Sequence, residues 1–154
     1  MAVTFIDYKN KDYGFWITEK VMELASQYIY QELTTNEYHF KDIEELTDDA
    51  KGVLSGYFRS YLSFSWEEDL KDEEDEKEMI RLFENILEKM KSKGTYISME
   101  ELFGFPIISE YWENEWRKPF KTQNMIKIFS ALVAIFKGEW TSTNYSMNRE
   151  MDWL

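Results

Sequence analysis

Apolar residues recur at three- and four-residue spacing along residues 122–137, TQNMIKIFSALVAIFK. Met125, Ile126, Phe129, Leu132, Val133 and Phe136 fall on one helix face. Ile128, Ala131 and Ile135 carry the apolar surface round most of the cylinder, the mark of a buried helix. Thr122 is a candidate N-cap and Lys137-Gly138 a candidate stop. At about 24 Å, and with Lys127 inside it, the segment is too short to span a bilayer comfortably. The pattern predicts a central helix against which the others pack.

The remaining chain is read against that helix. Residues 3–8 (VTFIDY) and 13–17 (YGFWI) are β-branched and aromatic and are split by the polar KNKD. They predict either a small N-terminal hairpin or an aromatic arm lying on the helices. Thr18 caps a helix over residues 19–33, with Val21, Leu24, Ala25 and Tyr28 on one face and Thr34-Thr35-Asn36 at its end. Residues 37–45 read as a connector that docks Tyr38, Phe40 and Ile43. Thr47-Asp48-Asp49 then opens a helix whose apolar stripe is Ala50, Val53, Leu54, Tyr57, Phe58, Tyr61 and Leu62, with Gly52 and Gly56 inside it.

A long helix is predicted over residues 72–93, burying Met79, Leu82, Phe83, Ile86, Leu87 and Met90 and stopping at Gly94. Acids crowd its start and Lys89, Lys91 and Lys93 its end, as the helix dipole favours. Ser98-Met99-Glu100-Glu101 is a capping box for a short helix, and Ser109 is a candidate cap for EYWENEW. Residues 139–154 carry Trp140, Tyr145, Met147, Met151 and Trp153, too many large apolar groups for a disordered tail, so much of the stretch is expected to dock. Four substantial helices imply a mainly α fold, a single domain over residues 1–154 with a bundle-like core and at most a small sheet.

Composition narrows the classes. Six Gly and two Pro are too few for a many-turned β fold, and the absence of Cys removes disulfides, thiolate metal sites and thiol nucleophiles. The N-terminus lacks the basic start and apolar run of a signal peptide, so a soluble cytoplasmic protein is the default expectation. The formal net charge of −12 argues against nucleic-acid backbone binding and is compatible with a basic partner.

Charge is also segregated. Residues 67–78 hold nine acids, Glu67, Glu68, Asp69, Asp72, Glu73, Glu74, Asp75, Glu76 and Glu78, and only Lys71 and Lys77 in opposition. Residues 117–137 carry Arg117, Lys118, Lys121, Lys127 and Lys137 and no acid. The plainer reading of the acidic run is a solvated helix start steadied by that basic stretch; the functional reading is a landing surface for a basic protein. A calcium loop is disfavoured, because Asp69, Asp72 and Asp75 are spaced by three and the glycine of an EF-hand turn is missing.

Other chemistry is thinner. His39, the only histidine, lies between Tyr38 and Phe40 with no nucleophile motif and reads as a packing or hydrogen-bonding residue. One His and no Cys leave no ordinary zinc site. Glu110, Trp112, Glu113 and Trp116 form the second-choice binding cluster: the two acids would share a helix face, and aromatic rings can stack on sugars. The plainer reading packs the Trp rings and leaves the acids in water. Phosphate-binding glycine motifs are absent.

Small size, a Cys-free composition, strong acidity, aromatic richness and the lack of a catalytic constellation resemble bacterial toxin-immunity proteins. The acidic helical immunity proteins of nuclease colicins are the nearest image, although this chain is longer. The resemblance lies in general character, and no functional residue is carried over by it. It implies a non-enzymatic binding protein that neutralises a cognate toxin, without cofactor, metal, membrane or direct nucleic-acid contact. The alternatives are a regulatory or phage-type interaction protein that mimics nucleic acid, and a small carboxylate-based enzyme.

Overall fold

The computed structural model describes residues 2–56 and 64–149. Tyr57, Phe58, Tyr61 and Leu62 of the predicted stripe, and Met151 and Trp153 of the C-terminal stretch, lie outside the described residues.

Alternating β-branched and aromatic residues form the hairpin. Strand β1 (Val3–Tyr8) pairs antiparallel with β2 (Asn10–Thr18), and Lys9 makes the turn at φ 63°. Phe15 and Ile17 are fully buried while Trp16 between them faces out, the period-two pattern of a half-covered strand. The polar KNKD is not a separate loop: Asn10, Lys11 and Asp12 already belong to β2.

Helix α1 (Glu19–Thr35) lies deeper than its sequence pattern implied. Val21, Met22, Leu24 and Ala25 are fully buried, but so, nearly, are Lys20, Ser26, Gln27 and Glu32. Buried polar groups need partners, and these have them. Lys20 Nζ donates to the Glu115 carbonyl, Ser26 Oγ to that of Met22 and Gln27 Nε2 to that of Ile107. Glu32 accepts from Tyr38 and Asn36 and pairs with Lys89.

Helix α2 (Ile43–Leu54) begins four residues before the predicted opening at Thr47. Asp42 takes the cap, accepting from the Glu45 N–H, so Ile43 belongs to a helix rather than a connector. Gly56 adopts φ 81°, a left-handed conformation that suits a helix end. It therefore terminates α2 instead of lying inside a continuous helix.

A single turn, α3 (Trp66–Asp69), leads to the long α4 (Glu73–Lys91), which buries Met79, Leu82, Phe83, Ile86 and Met90. Leu87 is only half-buried, and Ser92 rather than Gly94 caps the end. Two-residue strands β3 (Tyr96–Ile97) and β4 (Phe120–Lys121) pair antiparallel, with the short helices α5 (Met99–Leu102) and α6 (Trp112–Glu115) between them. Ser98 caps α5 as its pattern predicts, accepting from the Glu101 N–H.

Helix α7 (Thr122–Phe136) is the apolar helix of the sequence, with Met125, Ile128, Phe129 and Leu132 fully buried. Lys121 occupies its cap position; Thr122 instead donates its hydroxyl to the Gly94 carbonyl at 2.7 Å. Gly138, at φ 74°, ends the helix. α7 packs chiefly on α4 and touches α1 and β1. Aromatic rings knit these elements: Phe83 meets Phe129 and Phe136 at 5.9 and 5.2 Å, Trp66 meets Phe136 at 5.4 Å, and Tyr8 stacks on Phe136 at 4.1 Å. Such pairs contribute about 0.5–1.5 kcal/mol each beyond area burial.

The C-terminal stretch docks through its described part. Strand β5 (Tyr145–Ser146) adds parallel to β2, Trp140 Nε1 donates to the Gly14 carbonyl at 2.9 Å, and Met147 is fully buried in a 3-10 turn. The fold is mainly α with two small sheets, and among the described residues no helix is long and apolar enough to cross a membrane.

Candidate functional site

The acidic run divides between surface and interior. Glu67 and Glu68 on α3 are exposed, whereas Asp69 turns inward at 2% exposure. Asp72 caps α4, accepting from the Asp75 N–H and pairing with Lys41 at 2.7 Å. The Lys41 hydrogen bond, more than any other contact, holds the Asp72 carboxyl below the usual carboxylate range. Asp75 is fully buried; its oxygens accept from the N–H of Lys41 at 3.1 Å and of Lys71 at 2.8 Å. Glu76 is half-buried and pairs with Lys9 at 3.0 Å, and Glu67 accepts from the Lys9 N–H at 2.9 Å. Glu78 holds Arg81 and the His39 N–H, both at 2.6 Å. Glu68, Glu73 and Glu74 are exposed, and their carboxylates have no cationic partner among the described residues.

Two sequence expectations change. Asp69 and Asp75 belong to the interior, so neither presents charge to a partner's surface. Among the described residues the cations that pair with acids of the run include Lys9, Lys41 and Arg81, which lie outside the basic stretch 117–137. Asp75 is structural: two backbone N–H groups replace the water that its carboxylate gives up on burial.

The second-choice cluster does not assemble. Helix α6 begins at Trp112, so Glu110 lies before it and shares no helix face with Glu113; both acids are exposed. Trp112 and Trp116 are buried at 1% and 3% exposure, with ring centres 5.6 Å apart, and offer no open stacking platform. Trp112 Nε1 donates to the Leu102 carbonyl at 2.7 Å. His39 stands on the surface: its side chain is 77% exposed and lies 3.9 Å from Glu37, itself in water, while its backbone N–H donates to Glu78.

Asp69 points away from the rest of the run, toward α2. Carboxylate oxygens of Glu45, Asp49 and Asp69 lie within 4.8 Å of one another. Glu45 and Asp49 are one turn apart on α2, against which α3 packs. Burial first, and then the adjacent Asp49 carboxyl, push Asp69 up to about 8. Oδ2 of Asp49 and Oδ2 of Asp69 are both buried without a hydrogen-bond partner. A cavity of about 10 Å³ lies between them and Ser26, Leu46, Ser65 and Trp66. Sequence reasoning treated Asp49 as a helix opener and Asp69 as part of a charge run. The one local signal was the like-charged Glu45–Asp49 pair at i, i+4, an arrangement that disfavours an isolated helix.

Comparison with protein-family models, curated proteins and solved structures returns no match.

Proposed function

We propose that the protein is a non-enzymatic binding protein of the immunity type, neutralising a cognate bacterial toxin in the cytoplasm by contact with a basic surface. The observation that supports it is the exposure of Glu68, Glu73 and Glu74, which make no ion pair among the described residues and are flanked by Glu67 and Asp72. On this reading α1, α4 and α7 form a bundle-like core that holds the face rigid. Carboxylates there stand in for the phosphates that a basic active site would otherwise bind. Like charges on the free surface repel, and a cationic partner relieves that repulsion. Attraction reaches about 8 Å at physiological salt and acts mainly on the association rate.

The test is the combined variant Glu68→Lys, Glu73→Lys, Glu74→Lys, which spares the buried Asp69 and Asp75. A gene for a toxin domain beside that of this chain is the first thing the reading requires; the variant is coexpressed with that domain, with growth as the readout. Association of the purified pair is measured at low and high salt. The variant is expected to keep its circular dichroism, associate more slowly, lose most of the salt dependence and fail to protect. A folded variant that associates and protects like wild type would remove this face from the interface. A wild-type chain that neither binds nor protects would end the immunity reading.

A further inference from the structure

We propose that Glu45, Asp49 and Asp69 form a binding site for one hard, oxygen-preferring divalent cation at the junction of α2 and α3. The geometry admits a single ion. Oxygen ligands of calcium lie at about 2.4 Å, so two on opposite sides of the ion are about 4.8 Å apart. The three carboxylates bring oxygens within that span of one another.

A cluster of acids alone would mean little, but here the charges turn inward. Asp69 is 98% buried, and Oδ2 of Asp69 and Oδ2 of Asp49 both lack a hydrogen-bond partner. Elsewhere in the fold, acids that approach the interior are met by donors: Glu32 by Lys89, Tyr38 and Asn36, Asp75 by two backbone N–H groups, Glu76 by Lys9. No ion pair reaches Glu45, Asp49 or Asp69 among the described residues. A buried carboxylate beside the inward oxygen of a half-buried one needs a positive charge between them or a proton. The cavity of about 10 Å³ beside them has room for one water-sized particle. Glu45, at the exposed rim, opens the site to solvent and to water ligands.

The donor set selects the ion. All three side chains are carboxylates, and the chain has no Cys and a single His, His39, which stands on the surface. Oxygen ligands of this kind suit calcium, magnesium or manganese rather than zinc or copper. The ion would bridge α2 to α3, joining elements that adjoin the exposed acid face. The proposal holds whatever partner that face meets.

The full chain is stripped with chelator and titrated with calcium, magnesium and manganese in separate arms near neutral pH. Ion bound per chain is measured by equilibrium dialysis, together with the thermal midpoint. Terbium serves as a luminescent calcium surrogate, sensitised by Trp66 in the cavity wall. One ion per chain is expected, below about 1 mM, with a rise in the midpoint. Asp69→Asn should abolish binding. Glu45→Gln, at the rim and compatible with folding, should weaken it roughly tenfold or more. Glu74→Gln should leave binding unchanged. The ion that binds most tightly identifies the preferred occupant. Failure of every ion to bind saturably below about 10 mM would overturn the site. Binding undiminished in Glu45→Gln would likewise overturn it, since the ion would then sit elsewhere on the acidic surface.

Discussion

Asp75 separates architecture from docking within the acidic run. Its carboxylate is fully buried and accepts two backbone hydrogen bonds, from Lys41 at 3.1 Å and Lys71 at 2.8 Å. It thereby ties the start of α4 to the segment before α2 and to the link after α3. A hydrogen bond to a charged group contributes about 1.5–3 kcal/mol. Asp75→Ala removes both and leaves two part-buried donors unpaired, a loss of about 3–5 kcal/mol. Asp75→Asn keeps one acceptor oxygen but turns an NH2 group toward the other donor, so about 2–3 kcal/mol should be lost. Domains of this size have about 5–15 kcal/mol in total, so the Ala variant would be close to unfolding. Urea denaturation followed by circular dichroism measures the change as a shift in midpoint at constant slope. Glu74→Ala, one residue away and exposed, is the control and should leave the midpoint unchanged. An Asp75→Ala variant within about 1 kcal/mol of wild type, or an Asn variant less stable than the Ala variant, would refute this role of Asp75.

Two further outcomes are expected. Phe129 is fully buried against Phe83, so Phe129→Ala should cost about 3–5 kcal/mol and lower the thermal midpoint sharply; an unmoved midpoint would contradict the central role of α7. Burial raises the Glu32 carboxyl, but hydrogen bonds from Lys89, Tyr38 and Asn36 outweigh it and hold the group below its ordinary value. Its stabilising contribution is therefore complete above the unfolded value of about 4.3 and is lost as pH falls through the lower folded value. Glu32→Gln should flatten the fall in urea midpoint between about pH 5 and about pH 2, and an unchanged pH profile would show that Glu32 is not a source of it.

Where the fold follows from local pattern, the elements are legible in the residues themselves. The apolar spacing of Met125, Phe129, Leu132 and Phe136 sets α7, and that of Met79, Leu82, Phe83, Ile86 and Met90 sets α4. The cap at Ser98 and the alternation in the hairpin are equally local. The opening of α2 was not, because Asp42 and Thr47 both carry a side chain able to cap, and neighbouring contacts decide between them. Nor could a run of nine acids show which of its members turn inward. Asp75 is buried because Lys41, thirty-four residues earlier, supplies one of its two donors. Asp69 is buried because packing of α3 on α2 carries it beside Asp49, twenty residues away in the chain. Helix periodicity is a property of adjacent turns and can be read along a line. The fate of a charged side chain depends on which donors, charges or ions the folded chain brings within about 3 Å, and those come from distant segments.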